Sequence, residues 1–215
     1  MEWQLDGTTR AATALAAVAA SGWVVTATAE GSMDLGPAPF LGAWTAMMAA
    51  MMLPSAAPLV LLYRRGTTPG RTAALASGYL AVWAALGVFA YLYMESELMV
   101  AAWLVFGAAG LYQLTPMKTA CLRRCRTPVD FLLTRFGRSP LRLGLEHGAW
   151  CAGCCWALML VLVVAGSMGI GWALGIAAVV FVEKLAPGGQ HFARATGIAL
   201  LALALTEGAL GWPGI

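Results

Sequence analysis

Charge is what this sequence has least of. Asp, Glu, Lys and Arg make up 11% of its 215 residues, against 60% hydrophobic residues and a mean hydropathy of +0.77. A water-soluble domain of that length needs more polar surface, so the composition argues for spans of about 20 apolar residues instead. Signatures of common catalysts are missing too: no Gly-rich loop closing on Lys-Ser or Lys-Thr, no H-E-x-x-H and no G-x-S-x-G. No soluble nucleotide-binding portion is present, which excludes a self-contained ATP-driven pump. There are two histidines, His147 and His191. Both fall toward one face, so a haem bundle with paired intramembrane histidines lacks its ligands.

What the chain does have is apolar runs, at about 11–29, 40–63, 72–94, 98–115, 148–165, 170–183 and 192–210. Backbone polar groups cannot face lipid unpaired, and these runs are too long and too little alternating for barrel strands. The expected fold class is therefore all-α, a polytopic helical membrane bundle of about seven transmembrane helices forming one integral membrane domain over 1–215. The sixth run is the shortest, and six spans with one re-entrant segment is the alternative. The first run has signal-peptide character but lacks a small-residue cleavage site ahead of a soluble portion, so it is expected to remain.

The formal charge of +3 is placed unevenly. Counting spans from a cytoplasmic N-terminus, the inward parts are 1–10, the 64–71 turn, the 117–145 segment and the 184–194 turn, and together they hold all 13 basic residues. Glu30, Asp34, Glu95 and Glu97 fall in the outward loops, which carry no basic residue. This is the positive-inside pattern, and it puts the C-terminus outside. It also accounts for the basic cytoplasmic segment 117–145, with Lys118, Arg123, Arg124, Arg126, Arg135, Arg138 and Arg142. Nucleic acid is not needed as a partner; the lipid bilayer, with its anionic inner surface, is.

The densest chemistry lies in H-G-A-W-C-A-G-C-C-W-A-L-M, residues 147–159. On a helix His147, Cys151, Cys154 and Cys155 share one stripe, and Cys121 and Cys125 precede it on the same side of the membrane. Thiols facing the cytoplasm stay reduced, and an odd total of five cysteines leaves one unpaired in any disulfide scheme. Reduced thiols in this number suit copper(I), with zinc or an iron centre as alternatives. A single cysteine in a membrane helix is ordinarily a small packing hydrophobe; it is the clustering that points to ligation.

Toward the outer end of the second run, W-T-A-M-M-A-A-M-M-L-P places Met47 four residues before Met51 and Met48 four before Met52. The thioethers then form adjacent stripes, and Met33, Met94, Met99 and Met168 also fall near outward ends. A thioether holds soft copper(I) without deprotonation. Flexible filling beside Pro54, in a span interrupted by Pro54 and Pro58, is the alternative. Glu183-Lys184 and Glu146-His147 are expected near interfaces, where long side chains snorkel. Glu183 either orients His147 or balances a metal, or else forms a helix-end salt bridge with an arginine.

These stretches, together with G-L-Y-Q-L-T-P-M-K-T-A-C-L-R-R-C-R-T-P at 110–128 and V-E-K-L at 182–185, resemble the bacterial family of predicted metal-binding integral membrane proteins, domain of unknown function 2182. The likeness runs from about residue 40 to 188. It implies a protein of the bacterial cytoplasmic membrane and metal binding, without specifying a metal or reaction. By this resemblance the metal residues are Met47, Met48, Met51, Met52, Cys121, Cys125, His147, Cys151, Cys154 and Cys155, supported by Gln113, Lys118 and Glu183.

The leading expectation is a soft-metal protein moving or delivering copper(I) between an outer methionine entrance and a cytoplasmic-side Cys/His site. A metal chaperone or a metalloenzyme under assembly is the partner this implies. A membrane thiol or redox enzyme using Cys151, Cys154 or Cys155 is a second reading. A structural subunit is the third.

Overall fold

The structure, a computed structural model, describes residues 2–29, 36–96, 100–135, 137–164 and 169–210. Every regular element among them is helical: α1 (Glu2–Thr28), α2 (Pro37–Arg65), α3 (Pro69–Glu95), α4 (Ala102–Gln113), α5 (Pro116–Arg126), α6 (Pro128–Leu133), α7 (Pro140–Val164), α8 (Ile170–Leu185) and α9 (Gly189–Leu210). Glu30, Asp34 and Glu97, and likewise Met33, Met99 and Met168, lie outside the described residues.

Proline opens five of these helices. At the first position its missing N–H is one the helix leaves unbonded anyway, and its fixed φ suits the first turn. A hydroxyl just before the proline completes several starts. Thr68 accepts from the Arg71 N–H at 3.4 Å, Thr115 from the Lys118 N–H at 3.2 Å and Ser139 from the Arg142 N–H at 3.4 Å. Arg64 and Arg65 close α2, where cations oppose the negative end of the helix dipole.

Among the described residues five helices are long and apolar enough to cross a membrane: 7–28, 37–65, 69–95, 140–164 and 189–209. This makes the chain a multi-pass helical membrane protein. The fourth and sixth apolar runs give shorter helices. The 12 residues of α4 and 16 of α8 reach about 18 and 24 Å, short of the roughly 30 Å hydrocarbon core.

Helices α2 and α7 form the centre, each with 61% of its apolar window buried, while α1 and α9 bury 17% and 22% and stand at the edge. α3 and α7 cross in backbone contact. A Cβ on Gly144 would stand 2.0 Å from the Leu75 carbonyl oxygen, and one on Gly78 2.2 Å from that of Leu141. Small residues that let backbones touch are how membrane helices gain packing where lipid is as apolar as leucine.

Two expectations need correction. α2 runs unbroken through Pro54 and Pro58; in this stretch the Met52 carbonyl accepts from the Ser55 hydroxyl at 2.8 Å and from the Tyr79 hydroxyl at 3.3 Å, so polar neighbours support the weakened turn. The helix carrying the cysteines begins at Pro140, well before Gly148, because Ser139-Pro140 is a start signal and Leu141, Leu143 and Leu145 continue the helix. His147 is therefore two turns inside α7.

Candidate metal centre

Helix lengths set the level of the site. Met52 on α2 lies about 23 Å from Pro37 and about 20 Å from Arg65 along the axis, and Cys151 lies about 17 Å into α7. The methionine row is thus at the middle of α2, away from either end, and Met47, Met48, Met51 and Met52 are all at most 2% exposed. At the level of Cys151 and Cys154 both short helices stop, α4 at Gln113 and α8 at Leu185. α5 turns away from α4 at Pro116 and packs against α7 and α8.

Sulfur gathers from three helices. The Cys125 thiol on α5 points at Cys154 on α7, sulfur to sulfur 3.8 Å. That is about the edge two thiolates span on one tetrahedral ion with bonds near 2.3 Å. On α7 the Cys154 and Cys155 thiols donate back to the Cys151 carbonyl at 3.1 and 2.9 Å. All five cysteines are free. Cys121 lies over Gly153, whose absent Cβ would be 3.1 Å from its sulfur; burial pushes its thiol pKa up. Hydrogen bonding with Cys151 and Cys154 raises that of Cys125.

Cys151 meets a cation. Its Sγ accepts from the Lys184 ammonium at 2.8 Å and lies 2.9 Å from the Tyr79 hydroxyl. The same ammonium is 3.3 Å from Ser55 Oγ and 4.0 Å from Met52 Sδ. Lys184 is 6% exposed, so the expectation that it snorkels to an interface is wrong. Its helix ends inside the bundle. The methionine row and the cysteine cluster therefore adjoin at Met52 and Cys151 through one buried nitrogen.

Beside this lies a buried polar network. Glu183 accepts from Lys118 Nζ at 2.6 Å and from Gln113 Nε2 at 2.8 Å, with both charged side chains 1% exposed. Lys118 also donates to the Cys154 carbonyl. The ends of α4, α5 and α8 are thereby tied to the backbone that carries Cys154. Arg126 completes the end of α8 by donating to the Glu183 and Ala186 carbonyls at 2.6 and 2.7 Å. Gln113, Lys118 and Glu183 thus meet one another, and Glu183 is engaged away from His147. Its salt bridge is with a lysine, where the sequence suggested an arginine.

His147 lies one turn before Cys151 with its ring between Tyr79 and Phe131, centroids 5.8 and 5.3 Å away. Among the described residues its buried Nδ1 has no hydrogen-bond partner. Glu146, next to it, faces the other way and pairs with Arg135 at 2.8 Å, Arg142 at 3.2 Å and Arg138. Among the described residues no three His, Cys, Asp or Glu side chains converge as a ready metal cage. The donors stand in a pair, Cys125 with Cys154, and in a ring around an ammonium, Cys151 with Met52.

Sequence reasoning missed Lys184, Tyr79 and Ser55. Lys184 carried a signal, since a lysine next to Glu183 in an apolar run lacks an evident solvent path; Tyr79 and Ser55 carried none.

None of the curated proteins and none of the solved structures compared with this chain matches it. A family model described as PpoB2, copper chaperone, matches residues 41–206, a stretch that holds the methionine row, all five cysteines, the buried network and Lys184. With most of its length inside that match, the chain belongs to the PpoB2 copper-chaperone family.

Proposed function

We propose that this protein carries copper(I) as cargo, accepting it along Met47, Met48, Met51 and Met52 and holding it at Cys125, Cys151 and Cys154 for delivery. The observation that carries the reading is the junction of Met52 and Cys151 at one point, where thioether and thiol sulfur flank the same buried nitrogen. Soft neutral donors lead to soft anionic donors, a gradient suited to a cuprous ion moving inward. Cys121 and Cys155 are reserve thiols beside the cluster. His147, with its free Nδ1, is the next donor toward the inner end of α7.

Delivery goes inward, toward a metal chaperone or a metalloenzyme under assembly in the bacterial cytoplasmic membrane, by way of the basic segment 117–145. In this reading the N-terminus is cytoplasmic and the C-terminus outside, with α4 and α8 as short passes that bring the count to seven. The sorting of basic residues supports the orientation. So does a cavity lined jointly by Arg64, Arg65 and Arg71 of the α2–α3 turn and Arg138 of the α6–α7 turn, two turns that the scheme puts on one side.

The test is X-ray absorption on reduced, copper-loaded protein. Sulfur scattering that disappears when Cys151 and Cys154 are both replaced by Ser supports the reading, and copper held only by nitrogen or oxygen overturns it. The 3.8 Å approach of Cys125 to Cys154 favours a second reading, a thiol redox component. Formation and reduction of that disulfide in step with a measurable electron or thiol exchange identifies it.

A further inference from the structure

We infer that Lys184 is a built-in competitor for the copper site: its ammonium holds the metal-free donors in place, leaves when a cuprous ion binds, and sets both release and the preference for a monovalent ion. The inference rests on the copper reading above and goes beyond it, since that reading gives Lys184 no role.

The position of the nitrogen carries the argument. A buried ammonium ordinarily has a carboxylate or several oxygen acceptors. Among the described residues no carboxylate pairs with Lys184, because the neighbouring Glu183 is committed to Lys118 and Gln113. Its ammonium donates instead toward Cys151 Sγ at 2.8 Å, Ser55 Oγ at 3.3 Å and Met52 Sδ at 4.0 Å. Two of the three are soft sulfur donors, poor company for a hard ammonium and good company for copper(I). The nitrogen stands where those donors converge, the place an ion bound by them takes.

Charge then decides what is exchanged. Lys184 and a cuprous ion each carry one positive charge, so replacing one by the other leaves the charge among these donors unchanged. A zinc ion adds a further positive charge that the exchange leaves unbalanced, which surroundings of low dielectric penalise. In the exchange the N–H···S hydrogen bond from Lys184 to Cys151 breaks and a copper–sulfur bond forms. Copper remains cuprous and the ammonium keeps its proton, so no oxidant or reductant is needed; Cys151 enters as the thiolate paired with the ammonium, and Cys125 and Cys154 each give up a thiol proton to the buffer as they ligate. For release the same ammonium returns, which spares the bundle a buried sulfur without a partner. Lys184 is in the last turn of α8, one residue before Leu185 closes the helix.

The experiment measures copper(I) affinity of the full chain in detergent or nanodiscs, anaerobically, by competition with a colorimetric cuprous chelator. Lys184→Leu removes the charge without bringing a copper donor; Lys184→Arg keeps the charge. Lys184→Leu is expected to bind copper(I) about tenfold or more tighter, release it more slowly to the chelator, and lose preference for copper(I) over zinc(II), consistent with removal of a poorly screened charge. Lys184→Arg is expected to stay at or below wild-type affinity.

A second measurement needs no variant that must fold. Lys184 in the wild-type protein, probed by a small membrane-permeant acylating reagent and mass spectrometry, is expected to be protected without metal and to become reactive on loading with copper(I), or with silver(I) as a redox-inert monovalent probe. Wild-type binding of copper(I) with Lys184 still protected overturns the role of Lys184 and leaves the copper reading standing, as does an unchanged or weakened affinity in a folded Lys184→Leu. Wild-type protein that binds no copper(I) at all overturns the copper reading itself, and this inference with it.

Discussion

Cys125 and Cys154, 29 residues apart and on different helices, have their sulfurs 3.8 Å from each other. The distance follows from the turn at Thr115-Pro116, which ends α4 early and sends α5 back against α7. It sets two thiols from separate motifs at a spacing that one metal ion can bridge.

If they serve one ion, their replacement must couple. Cys125→Ser and Cys154→Ser should each weaken copper(I) binding, and the double variant should lose less than both together, with a coupling of about 0.5–3 kcal/mol. Chelator competition on the four proteins measures this. Additive losses indicate two separate sites.

Lys118 and Glu183 are each 1% exposed and 2.6 Å apart. Removing one charge leaves the other buried alone, so Glu183→Gln should cost about 3–5 kcal/mol of stability. Adding Lys118→Met should recover much of that loss, because the pair is then absent altogether. Unfolding in mixed detergent reads both, and a Glu183→Gln protein as stable as wild type contradicts the arrangement.

The sequence and the structure agree best where local chemistry decides. The apolar runs mark the membrane helices, five of them long enough to cross, while Thr68-Pro69, Thr115-Pro116 and Ser139-Pro140 are local start signals that a reading by apolar runs passes over, which is why α7 begins before its expected start. Met52 misled because nearness to the start of a run was read as nearness to the outer surface; a helix of 29 residues puts it mid-bundle. Lys184 misled for a tertiary reason: it ends an apolar run, but the end of α8 is buried by α5 and α7, whose return no local pattern announces. His147 lies on the cysteine stripe as periodicity requires, yet period says nothing of the Tyr79 and Phe131 rings that enclose it. Gln113 and Lys118 enter the site through family resemblance and Glu183 also as a costly ionisable residue in an apolar run, but their mutual contact is a product of long-range folding.

The crossing of α3 and α7 positions Tyr79 against Cys151. Gly144→Ala places a methyl 2.0 Å from the Leu75 carbonyl oxygen, so the helices must separate, at about 1–3 kcal/mol for overpacking. Reduced thermal stability is expected together with weaker copper binding. Gly42→Ala, where an added Cβ meets nothing within 4 Å, is the control and should leave both unchanged.

Orientation is open to labelling. In a cysteine-free background, reporter cysteines at Thr67 and Ser139 should react with an impermeant maleimide only from the cytoplasmic side, and one at Ser96 only from outside. Reversed labelling refutes the inward direction of transfer.

The central claim, that sulfur from α2, α5 and α7 holds one copper(I) ion, is tested most directly by copper-edge X-ray absorption on reduced protein loaded with a single equivalent. The account predicts a first shell of sulfur only, at about 2.3 Å, that loses one scatterer in Met52→Leu and collapses in Cys151→Ser/Cys154→Ser. A first shell of nitrogen or oxygen, or one untouched by those replacements, contradicts it.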